Sequence, residues 1–99
     1  MVAVLFSIPR VNVIESDEGF SVEVLGQTGL RYVEGQRSLF VDSEVLAAPN
    51  AMALYPASIR RWDRPHDGPT IDDATKHRIV ENIRRAFRFR GLEIDVLGE

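Results

Sequence analysis

Cysteine is absent from the 99-residue chain, so neither a disulfide framework nor a thiolate metal site can form. Histidine is scarce. His66 and His77 are the only two, and they lack the HExxH or HxxxH spacing that puts two imidazoles on one helix face. No glycine-rich phosphate loop is present, because Gly26 and Gly29 flank a turn between strands rather than a strand-to-helix entry. The nucleophile-elbow pattern is missing too. His66 with Asp63 and Asp67 reads as a solvated loop rather than a metal site, and no cofactor is expected. Long apolar runs are also lacking. The opening MVAVLFSI is too short to span a bilayer and carries no basic leader, so a cytoplasmic protein is expected, with no membrane partner. These absences leave the enzyme classes without a specific signal.

What remains has the composition of a globular domain, 44% hydrophobic and 27% charged, with room for one core in residues 1–99. The net charge of −3 is mild but unevenly placed. Residues 1–59 hold three basic and seven acidic side chains; residues 60–99 hold nine basic and eight acidic. An acidic first half disfavours nucleic acid as a general partner.

One stretch, Thr70 to Gly91, predicts a helix. With Ile83 at zero and 100° per residue, Ile79, Val80, Ala86 and Phe87 fall within about 60° of it. Lys76 and Arg90 extend this stripe at its ends, where long stems can lie along apolar surface. Thr70 is the expected N-cap after Pro69, with Asp73 in a capping-box position. Asp72 and Asp73 suit the positive end of the helix dipole, and Arg84, Arg85, Arg88 and Arg90 the negative end. Gly91 can close the last turn in a left-handed conformation. Phe89 projects off the stripe and needs a second packing partner or exposure.

The rest reads as strands. Val2–Ser7 is a first strand or a tail ended by Pro9, and Val11–Glu15 is the next strand. Phe20–Leu25 alternates Phe20, Val22 and Val24 against Ser21 and Glu23. Ser16 to Gly19 and Gly26 to Gly29 are turns. Leu30–Glu34 and Arg37–Asp42 flank Gly35-Gln36, a pair suited to a type II′ hairpin. Ser43–Ala51 is expected to be a connection. Met52–Tyr55 and Ala57–Trp62 look extended around Pro56, and Asp63–Pro69 is a polar loop. Leu92, Ile94 and Val96 mark a last strand. The expected fold is α+β: a curved antiparallel meander of five to six strands, one long helix across one face, and a final short strand.

Candidate binding residues fall in two groups. Arg78, Arg85 and Arg88 are expected on the outward side of the helix, with Glu81 able to pair with Arg85. Arg60, Arg61, Arg64 and Trp62 lie upstream, and Phe89 lies near the helix end. Arg and Trp concentrate binding energy at protein interfaces, although Trp62 reads first as a core anchor and second as an interface anchor.

Several phrases carry a resemblance. Thr28-Gly29-Leu30-Arg31-Tyr32, Val41-Asp42-Ser43-Glu44, Ser58-Ile59-Arg60-Arg61-Trp62 and Asn82-Ile83-Arg84-Arg85 occur in order in a chain that resembles a small α+β immunity-protein family of bacterial polymorphic toxin systems, immunity protein 74, over about residues 11–97. The resemblance implies a protein that binds and neutralises a toxin of the same cell by covering its surface. A nuclease is one candidate partner. The binding face is expected to be an acidic set (Glu15, Asp17, Glu18, Glu23, Glu34, Asp42, Glu44) opposing a basic toxin. Its rival is Arg60, Arg61 and Trp62 with the basic helix end, Arg85, Arg88 and Phe89. A general interaction module, including a homodimer through a free sheet edge or Phe89, and a small RNA-binding domain are the alternatives.

Overall fold

Tight turns set the register of the first strands. Gly35 has φ +62° while no non-glycine residue among the described residues has positive φ, so Gly35-Gln36 carries the positive φ at its first position only, as a type II′ turn requires. Glu34 therefore faces Arg37 across the hairpin. The computed structural model describes residues 5–46 and 52–98. Within them a single sheet contains β1 (Phe6–Arg10), β2 (Val13–Ser16), β3 (Phe20–Val24), β4 (Thr28–Glu34), β5 (Arg37–Val45), β6 (Met52–Leu54) and β7 (Ile94–Val96). Spatial order follows chain order. Every neighbouring pair is antiparallel except β6 with β7, which is parallel. The helix α1 (Asp73–Phe89) supplies the crossover that a parallel pair needs. The fold is the expected α+β: β1 to β6 form the antiparallel meander, α1 packs on it, and the final short strand β7 joins in the one parallel pairing.

Side-chain alternation divides the sheet into two faces. Ile14, Phe20, Val22, Leu30, Tyr32, Leu39 and Val41 point inward and join Met52, Leu54 and Ile94 in one core. The helix closes that core with Ile79, Val80, Ile83, Ala86 and Phe87, all buried, which is the stripe the sequence marks. Trp62 belongs to the same core at 5% exposure, its ring 6.3 Å from that of Tyr32.

Several boundaries differ from expectation. Pro9 does not end the first strand: β1 runs through it to Arg10, with a register shift between Ser7 and Arg10. Proline is tolerated there because β1 is an edge strand. The Val2–Val4 part of that reading lies outside the described residues, as do positions 47–51 of the expected connection. Ser43–Val45 extends β5 instead, because β6 pairs with it. Ala57 and Ser58 are not extended. They form a 3-10 turn, Pro56–Ser58, with Pro56 at its start where its missing N–H costs nothing. Beyond it the chain returns along β5, and Asp63 N–H donates to the Ser38 carbonyl at 2.7 Å.

The helix starts at Asp72, not Thr70. Asp72 is extended, and its carboxylate accepts from Thr75 N–H at 2.8 Å. Hydrogen bonding from Thr75, first from its side chain and then from its backbone N–H, holds the Asp72 pKa below the ordinary aspartate range. Ile71 N–H is taken by the Arg60 carbonyl at 2.8 Å, so the backbone at 71 is committed to the loop. At the other end Gly91 takes φ +78°. Leu92 N–H reaches the Phe87 carbonyl at 3.0 Å and Gly91 N–H the Arg88 carbonyl at 2.9 Å, the two bonds of a Schellman motif.

Candidate functional site

The helix arginines are where fold and charge meet. Stepping from Ile83, the residues Asn82, Arg78, Arg85 and Phe89 share one flank beside the apolar stripe. That flank faces the β2–β3 and β4–β5 turns rather than open water. Arg78 grips Glu34 with two bonds, Nη2 to Oε1 at 2.6 Å and Nε to Oε2 at 3.2 Å. Arg85 Nη2 donates to Glu18 Oε1 at 2.8 Å and to Asn82 Oδ1 at 2.7 Å. Asn82 Nδ2 then donates to the Tyr32 hydroxyl at 2.8 Å, and that hydroxyl donates to Glu34 Oε2 at 2.7 Å. Six side chains thus form one continuous polar strut, Glu18–Arg85–Asn82–Tyr32–Glu34–Arg78.

Its interior part is buried and fully paired. Asn82 is 7% exposed and Tyr32 fully buried, and no buried side-chain polar atom among the described residues lacks a partner. Burial raises the Tyr32 pKa well above the ordinary phenol value, so the hydroxyl stays a donor toward Glu34. Burial alone would raise Glu34 as well. The hydrogen bonds from Arg78 and Tyr32, with the positive charges of Arg78 and Arg37, outweigh it and hold the Glu34 pKa below its ordinary value. Arg78 is raised in turn, chiefly by its bonds to Glu34. The perturbed groups therefore brace the helix against the sheet.

The sequence reading is corrected here in three respects. Glu81 pairs with Arg84, at 3.8 Å, and not with Arg85. Arg88 lies on the opposite flank from Arg85 and meets Glu93 at 3.5 Å, both side chains 58% exposed. Arg60 to Trp62 lie beside the helix start, about 25 Å from Arg88 and Phe89 at the 1.5 Å rise per residue of a helix. That rival set is therefore not one surface. Arg61 is occupied as a staple, its Nη1 donating to the carbonyls of Asp67 at 3.3 Å and Gly68 at 2.8 Å. Arg60 Nε reaches the Ala57 carbonyl at 3.3 Å, and Trp62 lies in the core beneath Arg37, whose guanidinium stands 5.0 Å from its ring. Phe89 has both fates foreseen for it: 48% exposure and a ring contact with Phe6 at 5.4 Å.

The acidic set is split by the fold. Glu18 and Glu34 belong to the strut. Asp17 caps the chain before β1, accepting from Leu5 N–H at 3.1 Å. Glu15, Glu23, Asp42 and Glu44 share the sheet face turned away from the helix, opposite the buried Ile14, Val22, Val41 and Ser43. Among the described residues none of these four has an ion-pair partner; Glu23 accepts one bond, from Asn12 Nδ2 at 3.5 Å.

Phe40 stands on that same outer face, and the sequence reading passed over it. Its alternation with Leu39 and Val41 carried the signal. The ring lies over Gly29, where an added Cβ would sit 2.4 Å from Phe40 Cε2. Gly29 also takes φ +90° and donates its N–H to Ser43 Oγ at 2.9 Å. It sits at a register shift where β4 advances from Thr28 to Leu30 while β5 passes from Glu44 to Val41, one residue more. Phe40 remains 47% exposed.

The hollows of the surface do not gather these groups. His66 lines a groove beside Trp62 and Arg78, and His77 lines a different one beside Pro56 and Val96. An apolar hollow at the helix end is lined by Val11, Ile14, Val24, Met52, Phe87 and Leu92. Among the described residues no three His, Asp or Glu side chains are placed to hold a metal ion. No helix among them is long and apolar enough to cross a membrane.

Comparison with known proteins gives one finding. The family model of immunity protein 74 matches residues 21–97, beginning later than the start near residue 11 that the resemblance suggested. No curated protein and no solved structure matches the chain.

Proposed function

The chain belongs to the immunity protein 74 family, and from that membership we propose that it binds a cognate toxin and neutralises it by covering part of the toxin's surface, without catalysing a reaction. The family match over residues 21–97 carries this reading. The chemistry of the fold supports it. A protein that acts by occlusion needs a rigid scaffold and an exposed face. Here Tyr32, Glu34 and Arg78, three of the groups with displaced pKa values, are spent on rigidity, and Asp72 caps the helix start. Perturbed titratable groups point to catalysis when they converge on a cleft, and these are tied to one another across a helix–sheet junction. The proposed setting is the cytoplasm of the cell that makes the toxin.

The test is recovery of the tagged chain from its own host, at moderate salt and with nuclease present. One stoichiometric protein partner is expected, toxic when expressed alone and harmless when co-expressed with this chain. Recovery of the bare monomer overturns the reading, and a dimeric mass by light scattering would direct attention to self-association instead.

A further inference from the structure

The described surface is electrically two-sided. On the helix side each of Glu18, Glu34, Glu81 and Glu93 meets an arginine. On the outer face of the sheet the carboxylates of Glu15, Glu23, Asp42 and Glu44 meet none; of the arginines that strand pairing puts there, Arg31 is held by Asp63 at 3.3 Å and Arg10 stands beside Val13 on the edge strand β1. Strand pairing fixes their layout. Phe40 is the Cα partner of Arg31, which is the partner of Glu23; Asp42 and Glu44 follow Phe40 along the same face of β5. Glu15 lies three strands away on β2. An aromatic ring, half in water, therefore stands among unneutralised carboxylates.

The Phe40 ring covers Gly29 and is still 47% exposed. Aromatic side chains are enriched at the cores of protein interfaces, and unpaired charges around them steer an oppositely charged partner during encounter. The strands β2 to β5, at about 4.8 Å spacing and about 3.3 Å per residue, present a patch of roughly 600 Å². That approaches the ~800 Å² that each partner brings to a standard interface. The same carboxylates repel phosphate backbones, which sets a nucleic acid against this face.

We propose that the outer face of the sheet, with Phe40 as its apolar anchor and Glu15, Glu23, Asp42 and Glu44 as its charged surround, is the surface that docks the toxin, and that the toxin surface received there is basic. This rests on the toxin-neutralising reading and adds to it the face and the partner's charge. The helix side, where Glu18, Glu34, Glu81 and Glu93 are already paired, stays turned to solvent in the complex.

The probe is the protein recovered with the tagged wild-type chain, once shown to be toxic alone. Its association and dissociation are measured by surface-immobilised binding to three variants. Phe40→Ala is expected to raise Kd at least about 10-fold, mainly through faster dissociation. The triple reversal Glu15→Lys, Asp42→Lys, Glu44→Lys, at positions without ion-pair partners, is expected to slow association about 10-fold or more at low salt. That difference should shrink toward 0.5 M salt, at order-of-magnitude screening over about a Debye length. Lys76→Glu with Arg88→Glu, on the helix side, should leave both rates within about 2-fold. Native thermal transitions for all variants exclude misfolding. Unchanged rates for the outer-face variants, with the toxic partner still bound, overturn this face while the toxin-neutralising reading stands. Loss confined to the helix-side variant also overturns it, and assigns the interface to that side. Recovery of no toxic partner overturns both.

Discussion

Removing one oxygen tests the strut. Tyr32→Phe keeps the ring in the core and deletes the hydroxyl that gives to Glu34 at 2.7 Å and receives from Asn82 at 2.8 Å. A hydrogen bond to a charged group contributes about 1.5–3 kcal/mol, and a buried donor left without a partner costs about 1–3 kcal/mol. The two are not fully additive here. Glu34 keeps both bonds from Arg78 and retains some contact with water, whereas Asn82, at 7% exposure, has little access to a replacement. The expected loss is about 2 kcal/mol. For a domain of this size each kcal/mol lowers Tm by about 4–8 °C, so the midpoint should fall by about 10 °C. Urea unfolding is the assay, with an m-value unchanged from wild type showing that the surface exposed on unfolding is the same. Asn82→Ala alone should cost a similar amount. The double variant should cost at least about 1 kcal/mol less than the two singles together, because each breaks the same bond. A Tyr32→Phe loss under about 0.5 kcal/mol, or simple additivity, would refute the strut as a cooperative unit.

Three further outcomes are expected. Glu34 has a folded pKa below its ordinary 4.5, so its contribution is present above that value and is lost as pH falls through the folded pKa. Glu34→Gln, followed by urea midpoints across that acid range, should show a flatter decline than wild type; parallel curves would contradict the assignment. Ile83→Asp buries a carboxylate in the core and should abolish cooperative unfolding, whereas a sharp transition within a few degrees of wild type would show that the helix is not needed to close the core. Gly29→Ala places a Cβ 2.4 Å from the Phe40 ring at φ +90° and should destabilise by about 1–3 kcal/mol, with a shifted Phe40 ring resonance by NMR. A neutral substitution there would mean that the strand can relax.

The helix could be read from residues alone because its stripe, dipole order and terminal glycine depend only on neighbours in sequence. Its start could not. Thr70 and Asp72 are both good caps, and the choice between them is made by a bond from Ile71 to Arg60, in a different part of the fold. The hairpin of β4 and β5 was legible from Gly35-Gln36, whereas the parallel partner of β7 was not, since it depends on where the helix delivers the chain. In the candidate site the limit was different. Seven acids look alike in sequence, and the helix separates them by taking Glu18 and Glu34 for its own arginines. Asn82 was missed because a polar residue beside an apolar stripe is ordinarily solvated. Phe40 was within reach, because strand parity sets it between the buried Leu39 and Val41.

The pairing of β6 with β7 has a consequence for how the molecule comes into being. It joins Met52 to Ile94, whereas β2 to β5 are linked by short local turns. Local contacts form early and distant ones late, because closing a long loop costs entropy before any contact repays it. During synthesis β2 to β5 can therefore take their register while the helix and last strand are still to be made. Until those follow, the inner faces of the same strands are uncovered, and a chain cut short before Asp73 would present its carboxylates on one side and a bare core on the other.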